Sequence, residues 1–153
     1  MIKISNLHKY YGTKDNRVEV LKGIDLELED GKIICVLGPS GSGKSTLLNI
    51  LGGIETIDEG DVSVFDKDLK SMSKKALENY RRDYLGFVFQ FYNLISDLNL
   101  LENVQVGEYL SKEPLDIDEL LKDLGLDEHK YKYPNEISGG QAQRASIARA
   151  MIK

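Results

Sequence analysis

The chain has 153 residues, of which 41% are hydrophobic and 29% charged, and its formal net charge is −5; these values suit one globular domain and exclude disordered and collagen-like chains. Its single cysteine, Cys35, excludes an internal disulfide, and no apolar run approaches the about 18 residues of a membrane span. The acidic balance argues against sequence-independent binding of nucleic acid, so we expect a soluble protein of a reducing compartment with no nucleic-acid partner.

Alternation of apolar and polar residues organises the first part of the chain. Two alternating segments separated by a polar turn predict a pair of antiparallel strands. A later apolar run, Ile33–Leu37, is typical of a strand buried on both faces of a parallel sheet, and it would bury the thiol of Cys35. In chain order, this part predicts strands over 2–7, 18–28, 33–37 and 62–65, and a short helix over 47–54.

Helical spacing dominates the second part of the chain. Ser71 or Ser73, Asp116 and Ser138 are candidate N-caps, because their side-chain oxygens can accept hydrogen bonds from the free amides of a first turn. Arg144 and Arg149 fall on the last helix, where we expect them to form pairs at the helix surface. The pattern predicts helices over 73–82, 100–111, 116–124 and about 140–152, and an apolar strand over 85–89.

The most specific chemistry lies in the segment Gly38-Pro-Ser-Gly-Ser-Gly-Lys-Ser-Thr46. It matches the pattern G-x-x-x-x-G-K-[ST] between an apolar run and a helix, which is the context that a phosphate-binding loop requires. Its glycines allow the backbone to curl until successive N–H groups surround an anion beside the helix N-terminus. We expect Lys44 to reach the β- and γ-phosphates, Ser45 to bind Mg²⁺ and Thr46 to contact the phosphates. A plain glycine-rich turn is the alternative. The predicted cradle comprises Gly38, Ser40, Gly41, Ser42, Gly43, Lys44, Ser45 and Thr46.

A second candidate anion site precedes the last helix. Ser138-Gly139-Gly140-Gln141 combines an N-cap residue with two glycines that permit close approach of a ligand. The tetrapeptide alone is a weak signal, since such glycine pairs are common in turns. Two anion-receptive helix ends that are far apart in one sequence predict a nucleotide held between two surfaces.

The order of these motifs, with Phe87-Val-Phe-Gln90 between them and Ile147-Ala-Arg-Ala150 after them, resembles the ATP-binding subunit of an ABC transporter. The resemblance covers the whole chain and is closest to exporters of lipoproteins, macrolides and antimicrobial peptides. It implies an α/β fold with a P-loop core, a small N-terminal antiparallel β subdomain and a helical insert. The core and β subdomain would comprise about 1–93 and 136–153, and the helical subdomain about 94–135.

The same resemblance implies ligands, partners and residue roles. The chain would bind ATP and Mg²⁺. A second ATP-binding subunit would form a head-to-tail dimer with it, in which Ser138–Gln141 completes the nucleotide site of the opposite subunit. A transmembrane permease would hold the protein at the cytoplasmic face of the membrane. Gln90 would bind Mg²⁺ or the attacking water, although a lone glutamine is otherwise a solvated loop residue. Tyr11, rather than Tyr10, would stack on adenine. Residues 91–95 would dock a permease helix, with core packing as the alternative.

Hydrolysis is expected of the complete subunit, with Lys44 and Gln90 as catalytic residues. In the family, a further strand ends in Asp-Glu and a later His follows; none of these occurs after Arg144, so we expect this chain alone to be inactive. We also expect residues 33–37 to expose an apolar sheet edge that makes the chain unstable or self-associating. The alternatives are a soluble ABC ATPase without a permease, a nucleotide-binding fragment without hydrolysis, and a P-loop kinase, which would leave Ser138–Gln141 unexplained.

Overall fold

The computed structural model describes residues 1–153, apart from the side chain of Lys14. The chain forms two compact units, Met1–Tyr80 and Arg81–Lys153. Within the described residues, none of the helices combines the length and the apolar character needed to cross a bilayer.

The first unit is built on a four-stranded antiparallel sheet with the strand order β2-β1-β3-β4. Strand β1 pairs with β2 from Ile2 opposite Leu28 to Tyr11 opposite Val18, which confirms the antiparallel pair predicted from alternation. Apolar side chains of this sheet pack with Leu47 and Ile50 of the first helix to form the core. The strands are β1 Ile2–Tyr11, β2 Val18–Leu28, β3 Glu59–Val64 and β4 Lys67–Asp68, and the helix is α1 Lys44–Leu51, with a 3-10 turn at Lys14–Asn16.

Helix α2, Lys74–Tyr84, follows the sheet. Of the two candidate caps, Ser73 is the one that acts, because its Oγ accepts a hydrogen bond of 3.2 Å from the amide of Ala76. Tyr80 is buried and donates its hydroxyl to the carbonyl of Leu51 at 2.8 Å. Burial raises the pKa of Tyr80 to about 12, so its hydroxyl stays protonated and keeps this bond over the physiological range.

The second unit is helical. Its helices are α3 Leu100–Glu108, α4 Ile117–Asp123 and α5 Gly139–Met151, with 3-10 turns at Asp127–His129 and Pro134–Glu136. Asn99, Asp116 and Ser138 cap the three α-helices with their side chains, which confirms the predicted caps Asp116 and Ser138. The three helices share a core that is formed by Leu100, Val104, Leu120, Leu121, Leu126, Ala145, Ala148 and Ile152.

Two predicted strands are wrong. Residues 33–37 and 85–89 are irregular, and the sheet of the described residues is antiparallel throughout. An apolar run becomes a strand only where neighbouring backbone completes its hydrogen-bonded ladder, and neither segment has such a partner in the described chain. Leu37 is therefore 85% exposed, and the thiol of Cys35 is exposed rather than buried.

Candidate functional site

The phosphate loop, residues 38–46, lies in the first unit and ends on helix α1. Gly43 is the N-cap of α1 and has a φ of 87°, in the left-handed region that side chains disfavour. A Cβ at Gly43 would also lie 2.8 Å from Cδ2 of Leu21 and 3.2 Å from Cγ1 of Val20. Glycine at this position therefore allows the loop to turn sharply and to pack directly against strand β2.

The ammonium of Lys44 lies inside the curl of this loop. Its Nζ donates to the carbonyl of Gly38 at 2.9 Å and to that of Pro39 at 2.6 Å, and it is 3.5 Å from Oγ of Ser42. A Cβ at Gly38 would approach Oγ of Ser42 to 2.7 Å, so the start of the loop lies close to the Ser42 side chain. The partners of this ammonium are thus two neutral carbonyls and a hydroxyl of the same loop, and none of the three carries a negative charge.

The remaining residues of the loop leave its outer side accessible. Ser40, Gly41 and Ser45 are exposed, and Thr46 is half-buried in the first turn of α1. This first turn holds no acidic residue that would repel an anion. The structure thus brings all eight predicted cradle residues, Gly38, Ser40, Gly41, Ser42, Gly43, Lys44, Ser45 and Thr46, into one continuous loop and helix start.

Tyr11 ends strand β1 at the same end of the β1–β2 pair as the phosphate loop. Its partner is Val18, close in sequence to the two residues of β2 that Gly43 contacts. The Tyr11 ring is 40% exposed, and its hydroxyl donates to Oε2 of Glu55 at 3.2 Å. The ring of Tyr10, in contrast, lies under the guanidinium of Arg17, 3.6 Å from its centroid. Tyr11 is therefore the ring with surface free for a ligand.

In the second unit, Gln90 opens a tight turn, residues 90–93, which we call the Gln90 turn. Gln90 is exposed, and Tyr92 and Asn93 have φ values of 61° and 46°, both unusual for residues with side chains. Arg149 of α5 donates to the carbonyls of these two residues at 2.8 and 2.7 Å. The guanidinium thus holds a strained turn in place.

Arg149 therefore does not form the helix-surface pair that we predicted for it. It is half-buried, and burial lowers its pKa. The prediction was wrong because the partners of Arg149 are main-chain carbonyls 56 and 57 residues away, which spacing along one helix cannot reveal.

The segment Ser138–Gln141 forms the N-terminus of α5 as a complete capping box. Oγ of Ser138 accepts from the amide of Gln141 at 3.3 Å, and Oε1 of Gln141 accepts from the amide of Ser138 at 2.7 Å. The Ser138 hydroxyl keeps its proton free to donate. Both Gly139 and Gly140 are exposed, and a Cβ at Gly139 would lie 3.6 Å from the hydroxyl of Tyr92 in the Gln90 turn. The segment and the Gln90 turn are therefore neighbours in this unit.

Asn103 supports the chain that leaves the Gln90 turn. It is completely buried, and its Oδ1 accepts from the amide of Ile95 at 2.7 Å. Its Nδ2 lies within 3.1 Å of the carbonyls of Ile95, Leu98 and Asn99. One side chain thus accepts from one main-chain amide and shares its two N–H groups among three carbonyls of residues 95–99, which fixes that loop.

The predicted site residues fall into two groups, one in each unit. Tyr11 and the phosphate loop belong to Met1–Tyr80, and Gln90 with Ser138–Gln141 belongs to Arg81–Lys153. Sequence reasoning missed Asn103 and also Lys9, a buried lysine on β1. The sequence feature that could have identified Lys9 is its position in the alternation of β1, because it follows the buried Leu7 by two residues and so falls at a position expected to be buried. In the described residues, no cluster of three or more His, Cys, Asp or Glu side chains is arranged to hold a metal ion.

Comparison with known proteins gives consistent matches. A family model described as ABC transporter matches residues 21–153. The chain is 45% identical to the bacitracin export ATP-binding protein of Halalkalibacterium halodurans, covering 99% of this chain and 62% of that relative. It is 40% identical to the lipoprotein-releasing system ATP-binding protein of Cytophaga hutchinsonii, covering 70% of it. The chain thus spans less than two thirds of the first relative.

The fold has a close match among solved structures. A dimeric ATP-binding cassette in a post-hydrolysis state, bound to ADP and Pi, superposes with a TM-score of 0.89 at 36% identity. The match covers 99% of this chain and 69% of that cassette. This similarity confirms the predicted α/β fold class.

Proposed function

The chain belongs to the ABC transporter family, whose model covers residues 21–153, and we propose that it acts as an ATP-binding subunit that couples ATP binding and hydrolysis to transport through a partner permease. The family membership supports the class of activity. The observation that carries the proposal for this chain is the position of the Lys44 ammonium within the curl of the phosphate loop.

Lys44 would exchange its two carbonyl partners for the β- and γ-phosphates of ATP. Both sets of bonds use the charged ammonium, but the phosphate oxygens are themselves negatively charged, so the exchange adds an attraction between opposite charges that neutral carbonyls do not supply. The loop amides and the start of α1 would surround the same phosphates, with Gly43 holding the turn against β2. The exposed ring of Tyr11 would take the adenine by stacking.

The hydroxyl of Ser45 and the carboxamide of Gln90 are each oxygen donors of the kind that a hard cation such as Mg²⁺ binds, and we propose both as ligands of the metal. When bound, Mg²⁺ would neutralise charge that develops on the phosphates during transfer. The role of Gln90 would then be to hold Mg²⁺ or orient the attacking water through its exposed carboxamide. We propose Lys44 and Gln90 as the catalytic residues that this chain contributes to the complete subunit.

The segment Ser138–Gln141 would serve the nucleotide of a second ATP-binding subunit in a head-to-tail dimer. It is exposed, and the proton of the Ser138 hydroxyl is available because the oxygen alone is engaged in the capping box. The glycines beside it leave room for a phosphate at the start of α5. That a matched cassette is described as dimeric with ADP and Pi supports this arrangement.

A permease helix would dock beside the Gln90 turn, which would place the subunit at the cytoplasmic face of the membrane. Phe91 is 80% exposed, and Ile95 is also exposed. Next to them is an apolar cavity of about 330 Å³ with Phe87, Phe89 and Arg149 in its wall. An exposed apolar patch beside a cavity favours a protein partner. We separately propose about 94–135 as the helical subdomain, with Ile95 of the docking surface near its start.

We also propose that residues 1–153 on their own bind ATP without releasing phosphate. The Asp-Glu pair that the family resemblance leads us to expect does not follow Arg144 in them. A phosphate-release assay with Mg-ATP tests this, and turnover that disappears with Lys44→Ala would contradict it.

The central test is titration calorimetry of Mg-ATP binding to the full chain and to Lys44→Ala. We expect binding to weaken at least about tenfold, the loss of one charge-assisted contact to phosphate. Lys32→Ala is the matched control, since Lys32 is exposed and lies outside the phosphate loop. Equal affinities for the wild type and Lys44→Ala would show that the loop is not the phosphate site.

A further inference from the structure

Lys9 on strand β1 is a buried lysine whose ammonium pairs with two carboxylates. The residue is 4% exposed. Its Nζ lies 3.1 Å from Oε1 of Glu55, 3.3 Å from Oδ1 of Asp58 and 3.0 Å from Oγ1 of Thr56. We call Lys9, Glu55, Thr56 and Asp58 the lysine cluster. Burial of an ammonium is unfavourable unless it is paired, and the cluster supplies two carboxylates and a hydroxyl.

Two members of the lysine cluster, Lys9 and Glu55, contact the side chain of Tyr11. Lys9 and Tyr11 lie two residues apart near the end of β1. The Lys9 ammonium is 5.5 Å from the centroid of the Tyr11 ring, within the range of a cation–π contact. Glu55 contacts both residues, because its Oε1 meets Lys9 and its Oε2 accepts from the Tyr11 hydroxyl. The ring is therefore fixed at its face and at its outer end.

The same cluster joins the end of β1 to the segment that follows helix α1. Oδ2 of Asp58 accepts from the amide of Tyr10 at 2.8 Å. At the other side, the amide of Glu55 donates to the carbonyl of Asn49 in α1 at 3.1 Å. Since Lys44 begins α1, the lysine cluster links the strand that carries Tyr11 to the helix that carries the phosphate-binding lysine.

We propose that Lys9 is a positioning residue for nucleotide binding, which through Glu55 holds the Tyr11 ring in the orientation that stacks on the adenine base. This rests on the function proposed above, in which Tyr11 takes the base and the phosphate loop takes the triphosphate. Without the ammonium, Glu55 and Asp58 would repel each other, and the carboxylate that holds the Tyr11 hydroxyl would shift. The hydrogen bonds and ion pairs that hold Lys9 go to Glu55, Thr56 and Asp58 and not to residues 38–46, so we expect the affinity of the phosphate loop for phosphate to be retained.

The test compares binding of Mg-ATP with that of magnesium tripolyphosphate, which lacks the base and ribose, by calorimetry on the full chain. For Lys9→Met we expect ATP binding to weaken about fivefold and tripolyphosphate binding to change less than about twofold, as loss of part of a stacking contact requires. Lys3→Met is the matched control, because Lys3 is on the same strand with an exposed side chain and pairs with Glu27. It should leave both affinities unchanged.

A second variant keeps the test decisive if Lys9→Met folds poorly. Glu55→Gln retains the size of the side chain but removes the carboxylate charge that pairs with Lys9. We expect it to weaken the binding of ATP but not that of tripolyphosphate, as Lys9→Met does. Equal weakening of ATP and tripolyphosphate in the variants that fold would show a merely structural role and overturn the proposal, and so would unchanged ATP binding.

Tyr11→Ala separates this proposal from the function on which it rests. We expect it to weaken ATP binding about tenfold with little effect on tripolyphosphate. If Tyr11→Ala weakens ATP binding and the cluster variants do not, the role of Lys9 alone is overturned. If Tyr11→Ala has no effect on ATP binding, both the base platform and the positioning role fail.

Discussion

The guanidinium of Arg149 in helix α5 donates a hydrogen bond of 2.7 Å to the carbonyl of Asn93, a residue held in the left-handed region with a φ of 46°. The adjacent Tyr92, also left-handed, offers its carbonyl to the same side chain. One arginine thus stabilises two successive residues that would otherwise relax to other backbone conformations. The helix that begins with Ser138 and the turn that begins with Gln90 consequently form one connected part of the second unit.

Replacing Arg149 should loosen the Gln90 turn. We expect Arg149→Ala to lower the free energy of unfolding by about 2 kcal/mol, since the loss of two charge-assisted hydrogen bonds outweighs the relief of strain at the two left-handed residues. Chemical denaturation measures the loss, and faster amide hydrogen exchange in residues 90–95 locates it. Arg144→Ala is the control on the same helix, because Arg144 is exposed and should change stability by less than about 0.5 kcal/mol. Equal effects of the two substitutions would contradict this assignment.

Two glycines of the phosphate loop allow the stability cost of adding a side chain to be divided into a part from backbone strain and a part from packing. Gly41 and Gly43 both have left-handed φ values, 79° and 87°, but only a Cβ at Gly43 would meet β2, 2.8 Å from Leu21. We expect Gly41→Ala to cost about 1 kcal/mol from backbone strain alone, and Gly43→Ala to cost about 2–4 kcal/mol from strain and overpacking. Thermal unfolding of both variants measures the difference. A cost for Gly41→Ala as large as that for Gly43→Ala would show that contact with β2 is unimportant.

The stability of the first unit should depend on pH through Glu55. Burial alone would raise the pKa of Glu55. The hydrogen bonds from Lys9 and Thr56, together with the charge of Lys9, lower it by a larger amount, so the pKa of Glu55 lies below its ordinary value of 4.5. A carboxyl whose pKa is lower in the folded chain stabilises the fold above its unfolded pKa, and this contribution disappears as pH falls through the folded value.

We therefore expect the wild type to melt at a higher temperature than Glu55→Gln at pH 7, and the gap to close as the pH is lowered below 4.5. Thermal melts between pH 7 and pH 3 measure this. Glu29→Gln is the control, because Glu29 is exposed with only a 3.8 Å pair to Lys32. A gap that persists unchanged at pH 3 would indicate that Glu55 acts by shape and not by charge.

The exposed apolar run 33–37 should drive self-association. Ile33 and Leu37 are largely exposed, and no strand of the described residues covers them. We expect the apparent mass in sedimentation to rise with micromolar protein concentration, and Ile33→Ser with Ile34→Ser to reduce that rise. Leu115→Ser, at an exposed apolar residue of the second unit, is the control. A monodisperse monomer with a cooperative melt would contradict the expectation.

Local sequence signals predicted the parts of this structure that local interactions determine. Asp116 and Ser138 cap their helices as expected, because an N-cap bonds to an amide only three residues away. The phosphate loop was similarly evident, since its glycines and Lys44 are contiguous. The run 33–37 was mispredicted because a strand depends on a partner, and apolar character alone does not supply one.

Lys9, which was missed, and Arg149, which was mispredicted, share a different physical reason. Lys9 meets Glu55 and Asp58 across 46 and 49 positions, and Arg149 reaches the Gln90 turn across more than 50. Such pairs depend on how the chain folds back on itself, and neither helical nor strand periodicity encodes them. A charged residue at a position that alternation assigns to the interior, as for Lys9, is the one sequence feature that points to such a cluster.

Asn103 makes the second unit sensitive to a change of a single atom. Its amide nitrogen faces three carbonyl oxygens in a position that water does not reach. Conversion to aspartate, as in spontaneous deamidation, would keep the shape and replace a donor with an anion among those oxygens, which is strongly unfavourable. The folded unit shields this amide from hydrolysis, so chemical ageing at Asn103 should proceed only in molecules that have already opened.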